Sequence, residues 1–313
     1  MGFWTRRGAI AWLLWPVSLL FGVAVLVRRA LYWLRVFGST HPGIPVIVVG
    51  NLTVGGTGKT PLVISIAEFL AKNGWVPGVI SRGYGGTATA PRAATIAADP
   101  GEVGDEPVLI ARRAGCPVWV GPDRVQVAAV LRREEPKVNV LISDDGLQHY
   151  RLRRDLEIAV VGSFGNGFLL PAGPLREPRS RLKTVDWVVT TNLEGDTVHR
   201  MADSRERQPL KAFAGKKVHA VAGIGDPERF FSYLAAAGVN VVPHPFPDHH
   251  PFTPKDLEFG DEAAVLMTEK DAVKLRSASR PNWWVLPVAA KLDPAFGAWL
   301  LGRLDEWRRS KAA

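Results

Sequence analysis

Apolar residues in this chain form one long uncharged run near the N-terminus, followed by short β-branched runs that alternate with amphipathic segments. Residues 8–27 carry no charged side chain. Residues 44–51, IPVIVVGN, have the β-branched pattern of a buried parallel strand. A glycine-rich turn follows, and then residues 61–75, where Leu62 and Ile66 belong to an apolar series at helical spacing. The pattern therefore predicts a strand, a turn and a helix in succession.

The same alternation continues to about residue 192. It predicts five further strands, the first of which runs into a glycine-rich loop, at residues 76–86, 116–121, 138–143, 157–162 and 186–192. It also predicts helices at residues 104–115 and 123–135. Strands that alternate with helices indicate a doubly wound α/β domain with a parallel sheet.

A polar stretch at residues 195–217 is a candidate linker. Beyond it the alternation of strands and helices restarts and ends in an amphipathic helix. We therefore divide the chain into an N-terminal helix (1–37), a core domain (38–205) and a second, smaller α/β lobe (206–313) that contributes to a cleft.

The N-terminal run is long enough for a helix of about 30 Å, the thickness of a bilayer core. Arg6 and Arg7 precede the run, and Arg28 and Arg29 follow it. A cleaved signal peptide is disfavoured because arginines occupy the place of small cleavage-site residues. A buried core helix is the other alternative, but the uncharged run is long for one. We prefer a retained membrane anchor, either spanning the bilayer or lying in one leaflet, with the following domain on the cytoplasmic side.

Composition and charge narrow the function classes. The formal net charge is +9, and six basic residues but no acidic residue precede Glu68. Since the excess is concentrated before the first strand and no recognition motif appears, we expect no nucleic-acid partner. The single cysteine, Cys116, excludes an internal disulfide and metal sites built from cysteine clusters.

The strongest local motif is TVGGTGKT at residues 53–60, between a predicted strand and a predicted helix. It matches the end of the phosphate-binding loop G-x-x-x-x-G-K-[ST], although Thr53 replaces the first glycine. Backbone N–H groups, the helix N-terminus and Lys59 would bind phosphates there, and the Thr60 hydroxyl would bind Mg²⁺. The residues assigned to nucleotide binding are Thr53, Val54, Gly55, Gly56, Thr57, Gly58, Lys59 and Thr60.

Two sets of polar residues are candidates for completing the site. Asp144 and Asp145 follow a predicted buried strand, where they would hold Mg²⁺ or merely form a turn. In the second lobe, the loop FPDHHPFT at residues 246–253 contains His249. A histidine from one lobe and an aspartate from the other would suit a general base assembled across a cleft.

A further series of motifs gives the chain a resemblance to a known family. The motifs are VVGNLTVGGTGKTP (48–61), SRGYGG (81–86), GDEP (104–107), GPDR (121–124), DDGLQH (144–149), PAGPLREP (171–178), DHHPF (248–252) and TEKDAVK (268–274). In this order they resemble the tetraacyldisaccharide 4′-kinases of lipid A synthesis, whose phosphate loop shares the departure at Thr53. The resemblance implies that residues 38–205 are a P-loop kinase core.

The resemblance also implies the reaction, its location and its partners. The γ-phosphate of ATP would be transferred, with Mg²⁺, to the 4′-hydroxyl of a tetraacyldisaccharide 1-phosphate. The enzyme would work at the cytoplasmic face of the bacterial inner membrane and would require no protein partner. The rival hypothesis is a membrane-associated P-loop ATPase or GTPase that has no lipid acceptor.

Residue roles follow from matching the motifs. The resemblance implies that Asp105 deprotonates the acceptor hydroxyl, with His249 as its partner, while Lys59 binds phosphate. Arg82 and Arg124 would balance phosphate charge. It further implies a supporting set in the site, composed of Glu106, Gln148, His149, Arg176 and Glu177. For Lys270 and Asp271 two interpretations stay open, a contact with the nucleotide base and the capping of a helix.

Overall fold

A seven-stranded sheet lies at the centre of the first lobe. The computed structural model describes residues 2–56, 58–190, 193–275 and 279–312. The strands of the first sheet are β1 (Val46–Asn51), β2 (Pro77–Ser81), β3 (Arg92–Ala93), β4 (Val118–Val120), β5 (Val140–Asp144), β6 (Leu156–Val161) and β7 (Trp187–Thr190). Their order is β3-β4-β2-β5-β1-β6-β7, and all pairs are parallel except β3 with β4. The predicted α/β fold with a parallel sheet is confirmed.

Helices cover both faces of this sheet, as a doubly wound fold requires. The helices of the first part of the chain are α1 (Ala9–Trp33), α2 (Lys59–Lys72), α3 (Pro100–Val103), α4 (Asp105–Ala114) and α5 (Arg124–Glu134), with 3₁₀ turns at Gly2–Trp4 and Arg179–Thr184. Ile66 of α2 and Ile110 of α4 are buried on one face, and Leu131 of α5 on the other. Burial on both faces explains why β1 is continuously apolar up to its end.

A second sheet forms the smaller lobe. The later strands are β8 (Leu193–Glu194), β9 (Thr197–Arg200), β10 (Arg207–Pro209), β11 (Lys217–Ala222), β12 (Asn240–Pro245), β13 (Ala264–Thr268), β14 (Trp283–Leu286) and β15 (Ala289–Ala290). The later helices are α6 (Pro227–Ala236), α7 (Glu269–Ala272) and α8 (Pro294–Ala312), with 3₁₀ turns at Leu210–Phe213 and Pro254–Leu257. The sheet order is β10-β9-β14-β13-β11-β12, while β8 pairs separately with β15.

Two details of the predicted division differ from the structure. The boundary after residue 205 falls between β9 and β10, which pair within the second sheet, so the two sheets separate earlier, between Thr190 and Thr197. The C-terminal helix α8 was assigned to the second lobe, but Phe296 and Leu300 are buried in the core of the first lobe. The reason is that β15 brings the chain back beside α2, which directs α8 onto the first sheet.

The N-terminal helix α1 is confirmed and extends beyond the uncharged run to Trp33. In the described part of the chain it is the one helix long and apolar enough to cross a membrane. One narrow stripe of α1 contacts the first lobe: Ser18 Oγ donates to the carbonyl of Leu169 (2.8 Å) and accepts from the N–H of Ala172 (3.0 Å). Most of its other apolar side chains are exposed, including Leu13 at 79% and Leu20 at 72%.

Candidate active site

The phosphate loop connects β1 to α2, as predicted. Gly58 precedes the first residue of α2 with φ +80°, a conformation that L side chains rarely adopt. Lys59 then begins the helix, and its Nζ donates to Asn51 Oδ1 (3.1 Å) and lies 3.6 Å from Asp145 Oδ1. The loop thereby directs a positive side chain and a helix N-terminus to the same point. Thr57, one of the predicted nucleotide-binding residues, lies outside the described residues.

Two predicted loop residues have other partners. The N–H of Val54 donates to the carbonyl of Pro174 (2.8 Å), and Thr53 forms a β-bridge with Leu175. The Thr53 hydroxyl accepts from the side-chain amide of Asn51 (3.3 Å). These contacts anchor the start of the loop to the 171–178 segment. They leave Gly56, Gly58, Lys59 and Thr60 lining the adjoining cavity.

Asn51, the last residue of β1, was missed by the sequence reasoning. It is fully buried, and its Oδ1 accepts hydrogen bonds from both Lys59 and Arg176. Its backbone carbonyl accepts from the side-chain amide of Gln148 (3.1 Å). A polar residue at the carboxyl end of an otherwise apolar strand was the available signal, because ligands bind at that edge of an α/β sheet.

The two predicted metal ligands lie at the end of β5, next to β1 in the sheet. Asp144 is 1% exposed; its Oδ2 accepts from Ser81 Oγ (3.2 Å), while Oδ1 has no hydrogen-bond partner among the described residues. Burial, followed by the charges of Glu106 and Asp145, raises the pKa of Asp144 to about 7. A buried carboxyl group that has a raised pKa and one oxygen without a partner is a suitable ligand for a cation.

Asp145 is held differently. Burial alone would raise its pKa, but Lys59 and Arg176 outweigh burial and lower the pKa to about 2. Arg176 donates to both carboxylate oxygens, at 3.0 and 3.1 Å. Within the described ranges no group of three or more His, Cys, Asp or Glu side chains is arranged to hold a metal. A cation here would therefore take Asp144, Asp145 and the Thr60 hydroxyl together with ligands from outside the protein, as Mg²⁺ commonly does.

The residues predicted to balance phosphate charge or to support the site lie in different surroundings. Arg176 and Gln148 contact Asp145 and Asn51, as described above. The buried Arg124 lies at the same edge, with Nη2 3.5 Å from the carbonyl of Asp145, and Arg82 is exposed nearby. His149 lies beside Asp123 (3.8 Å), and burial lowers its pKa to about 4.

Glu177 belongs to a separate buried ion cluster. It accepts from Tyr150 Oη (2.8 Å) and pairs with Arg181 (3.3 Å), and Arg181 also donates to both carboxylate oxygens of Glu157 (2.6 Å). The cluster fixes the segment that carries Arg176. Glu177 therefore supports the site through the backbone and does not contact the phosphate loop in any described hydrogen bond or ion pair.

The predicted partnership of Asp105 with His249 is present across the two lobes. Asp105 begins α4 and is 4% exposed, and both of its carboxylate oxygens lie 3.1 Å from His249 Nδ1. His249 follows β12 and has φ +62°, a backbone conformation that is strained for this residue type and that recurs at functional sites. Lys274, which sequence reasoning did not single out, places Nζ 3.4 Å from Asp105 Oδ2.

These contacts decide the charge of the pair. Burial would raise the pKa of Asp105, but the hydrogen bond from His249 and the charges of Lys270 and Lys274 outweigh it and lower the pKa. The hydrogen bond to Asp105 is the largest influence on His249 and raises its pKa. Asp105 is therefore ionised at neutral pH and is able to accept a proton.

The contacts of Asp271 support helix capping, whereas Lys270 lines the cavity beside the phosphate loop, so its contact with the nucleotide stays a prediction. Asp271 stabilises the start of α7, because its Oδ2 accepts from Thr268 Oγ1 (2.6 Å) and from the N–H of Gly223 (3.1 Å). Lys270 also lies in α7 but reaches across the cleft to Glu106 Oε1 (3.1 Å). Its neighbour Glu269 pairs with Arg113 of α4 (2.7 Å), so α7 is tied to α4 at two points.

Two cavities are lined by residues at the start of α4, one by Glu106 and the other by Asp105. One, of about 260 Å³, lies between the phosphate loop and the second lobe and is lined by Glu106, Ile224, Phe230 and Tyr233 among others. The second lobe comes close to the phosphate loop here, since a Cβ on Gly225 would lie 3.0 Å from the backbone nitrogen of Gly56. The other cavity, of about 250 Å³, is lined by Tyr84, Asp105, His249, Phe252 and Lys274.

A strand–glycine loop–helix unit with carboxylates at the adjacent strand end, opposed by a buried Asp–His pair, defines a nucleotide-dependent phosphotransferase of the P-loop class. A family model described as LpxK, tetraacyldisaccharide-1-P 4′-kinase, matches residues 10–305. The chain belongs to the tetraacyldisaccharide-1-P 4′-kinase family.

Individual relatives agree with this assignment. The tetraacyldisaccharide 4′-kinase of Methylobacillus flagellatus is 48% identical over 96% of this chain and 96% of its own length. That of Nitrosococcus oceani is 50% identical over 99% of this chain and 95% of its own length. Among solved structures, LpxK from Aquifex aeolicus in complex with ATP is similar, with a TM-score of 0.80, 28% identity, and coverage of 94% of this chain and 99% of that one. The chain is accordingly a kinase that uses ATP in lipid A synthesis.

Proposed function

We propose that this chain transfers the γ-phosphate of ATP to the 4′-hydroxyl of a tetraacyldisaccharide 1-phosphate, with Asp105 as the base, at the cytoplasmic face of the bacterial inner membrane. The observation that carries the residue assignment is the position of Asp105. It faces the 250 Å³ cavity, while Glu106, the next residue, faces the cavity of the phosphate loop. A donor and an acceptor would therefore meet at the N-terminus of α4.

The nucleotide half of the site would hold ATP through the first lobe. The phosphates would lie at the N-terminus of α2, beside Lys59 and the glycines at 56 and 58. The nucleoside would occupy the 260 Å³ cavity, whose second-lobe wall includes Phe230 and Tyr233. Thr60, Asp144 and Asp145 would hold Mg²⁺, which would neutralise phosphate charge when bound.

The acceptor half of the site would supply the base. Asp105 would take the proton of the 4′-hydroxyl while that oxygen bonds to the γ-phosphorus and the bond from the γ-phosphorus to the β,γ-bridging oxygen breaks, so that ADP leaves. Phosphoryl transfer needs mainly positioning and charge neutralisation, so a carboxylate with a lowered pKa is sufficient as the base. His249 would keep the Asp105 carboxylate oriented toward the cavity.

Membrane association would be provided by α1. Its exposed apolar side chains lie opposite the stripe that contacts residues 164–175, so the helix presents an apolar face to the surroundings. Deleting α1 would also remove its buried contacts, and point substitutions therefore test the idea better. Leu13→Ser with Leu20→Ser should reduce partition into anionic phospholipid vesicles at least tenfold, since each buried leucine contributes roughly 1.5–3 kcal/mol.

A matched control for this vesicle experiment is Ile96→Ser, which removes another exposed apolar side chain outside α1. The control should partition as the unsubstituted enzyme does. Unchanged partition of the double leucine variant would contradict the role of α1 as the membrane attachment.

The decisive experiment is a phosphoryl-transfer assay with radiolabelled ATP and a tetraacyldisaccharide 1-phosphate acceptor in mixed micelles. Labelled bis-phosphorylated lipid is the expected product. Release of inorganic phosphate at the same rate with and without the acceptor would instead favour the P-loop ATPase hypothesis. Omitting Mg²⁺ should abolish the transfer.

A further inference from the structure

We propose that Lys270 is a positioning residue that fixes the tautomer of His249, so that the histidine presents an N–H to Asp105. The inference rests on the proposed roles of Asp105 and His249. It assigns a task to a lysine whose role the sequence left undecided between a nucleotide contact and a helix cap.

The first step is the set of acceptors around Lys270. Its Nζ lies 3.1 Å from Glu106 Oε1, 3.2 Å from Asp248 Oδ1 and 3.3 Å from His249 Nε2. An ammonium group has three hydrogens and no lone pair, so it only donates. Three acceptors for three hydrogens account for the whole group, whose side chain is 17% exposed. Burial would lower the pKa of Lys270, but Glu106, Asp105 and Asp248 outweigh burial and raise it, so the group stays charged.

The second step is the consequence for the imidazole ring. If Nε2 accepts from Lys270, then Nε2 carries a lone pair and the single proton of a neutral ring lies on Nδ1. Nδ1 is the atom that lies 3.1 Å from both oxygens of Asp105. Lys270, His249 and Asp105 therefore form a chain in which each member donates to the next. Without Lys270, Nε2 would lose its donor, and Asp248, whose Oδ1 lies 3.8 Å from Nε2, could draw the proton to that nitrogen in competition with Asp105 at Nδ1.

The third step concerns the charges that face His249. Asp105 comes from α4, Asp248 from the same loop as His249 (3.8 Å from Nε2), and Lys270 from α7, while the ring of Tyr84 packs at 5.1 Å. The carboxylates favour the imidazolium form, whereas the charge of Lys270 opposes it. Removing Lys270 should therefore raise the pKa of His249. Since the neutral ring is the active form in this proposal, the acid limb of the activity profile should move to higher pH.

The test compares Lys270→Met with the control Arg113→Met. Arg113 pairs with Glu269 in the same contact between α4 and α7, so its loss loosens the lobes without changing the contacts of His249. The tautomer is read by long-range ¹⁵N–¹H NMR of histidine-labelled full-length enzyme without nucleotide, with His249→Ala used to assign the signal. Steady-state phosphoryl transfer is then measured from pH 5 to 9.

The expected results are specific to the proposed task. The unsubstituted enzyme should show the Nδ1–H tautomer at pH 8. Lys270→Met should populate the Nε2–H tautomer and lower kcat about tenfold or more. It should also move the acid limb of the activity profile to higher pH. Lys270→Arg should restore part of kcat, because it keeps the charge, and Arg113→Met should leave the tautomer and the limb unchanged.

Three outcomes would overturn the inference: an Nε2–H tautomer in the unsubstituted enzyme, an unchanged limb in a folded Lys270→Met variant, or an identical effect of Arg113→Met. The first is measured on the unsubstituted enzyme and so does not depend on whether Lys270→Met folds. Failure of the proposed function has a different signature, namely wild-type kcat in Asp105→Asn. In that case the tautomer measurement still reports on Lys270.

Discussion

The two halves of the active site are built in different ways. The phosphate half lies within the first lobe. There β1, β5 and α2 bring Asn51, Asp144 and Lys59 together at one edge of the sheet. The base half is shared, because Asp105 comes from the first lobe and His249 and Lys270 from the second. The first half keeps its geometry as long as the first lobe is folded. The second half also requires the two lobes to be in contact.

This difference predicts how substitutions in each half should affect catalysis. A change in the phosphate half removes charge from a preformed cradle and should affect catalysis at every pH. In the base half, a change in proton positions should show itself in the pH profile, and a change in the contact between the lobes should show itself in the balance of kcat against KM.

The largest effect is expected from Lys59→Ala, in the phosphate half. Nζ is the cation closest to the phosphate loop and also faces Asp145. Its loss should lower kcat by a factor on the order of 10³, the upper range for removing one group that stabilises transition-state charge. Single-turnover transfer measures this directly. Thermal unfolding serves as the control and should change little; a kcat within threefold of the unsubstituted enzyme would contradict the assignment.

The next largest effect is expected from Asp105→Asn, in the base half. The substitution keeps the shape but removes the group proposed to accept the proton, so kcat should fall by about 10²–10⁴ while KM for ATP stays near its original value. A rise in KM for ATP without a fall in kcat would show that Asp105 serves nucleotide binding. That result would remove the distinction between the two halves.

A smaller effect is expected from Asn51→Leu, which tests whether the phosphate half is preorganised. Lys59 and Arg176 would both lose an acceptor inside the fold. We expect a loss of about 1–3 kcal/mol in the free energy of unfolding and a fall of roughly tenfold in kcat. Urea unfolding and steady-state kinetics measure the two quantities. Asn51→Asp, which keeps an acceptor, is the matched control, and equal kcat in both variants would argue against the hydrogen bonds as the cause.

The smallest effect is expected from Arg113→Met, which weakens the contact between the lobes. The Arg113–Glu269 pair is partly exposed, so its contribution to stability should not exceed about 1 kcal/mol. KM for ATP should rise by about two- to fivefold, because α7 borders the nucleotide cavity. Glu269→Gln should reproduce the change. An unaltered KM in both variants would show that this ion pair does not help to hold the cavity together.

Local sequence patterns were sufficient where neighbouring residues form the structure. The glycine-rich loop, the strand before it and the helix after it are contiguous, so backbone geometry determines their arrangement. The apolar runs at β5 and β6 likewise indicated buried parallel strands. Asp144 was predicted because a P-loop protein needs a carboxylate at the end of a second strand, and the structure pairs that strand with β1.

Patterns were insufficient where distant residues meet. The partnership of Asp105 with His249 joins positions 144 residues apart, and it was inferred from a family resemblance, since each side chain alone was equally consistent with a capping or loop residue. The assignment of α8 to the second lobe was wrong because amphipathicity shows that a helix is covered on one side but not by which sheet. Asn51 was missed because its partners come from three separate segments.

By itself, the sequence determined the α/β class, the apolar N-terminal helix and the location of the phosphate loop, because these follow from periodicity and from backbone chemistry between near neighbours. Only the tertiary structure decided that Val54 is hydrogen-bonded to Pro174, that Glu177 belongs to a buried ion cluster and that Lys270 contacts His249. Those contacts depend on how two sheets and their connecting strands pack against each other. Packing is a property of the whole chain, and local patterns do not encode it position by position.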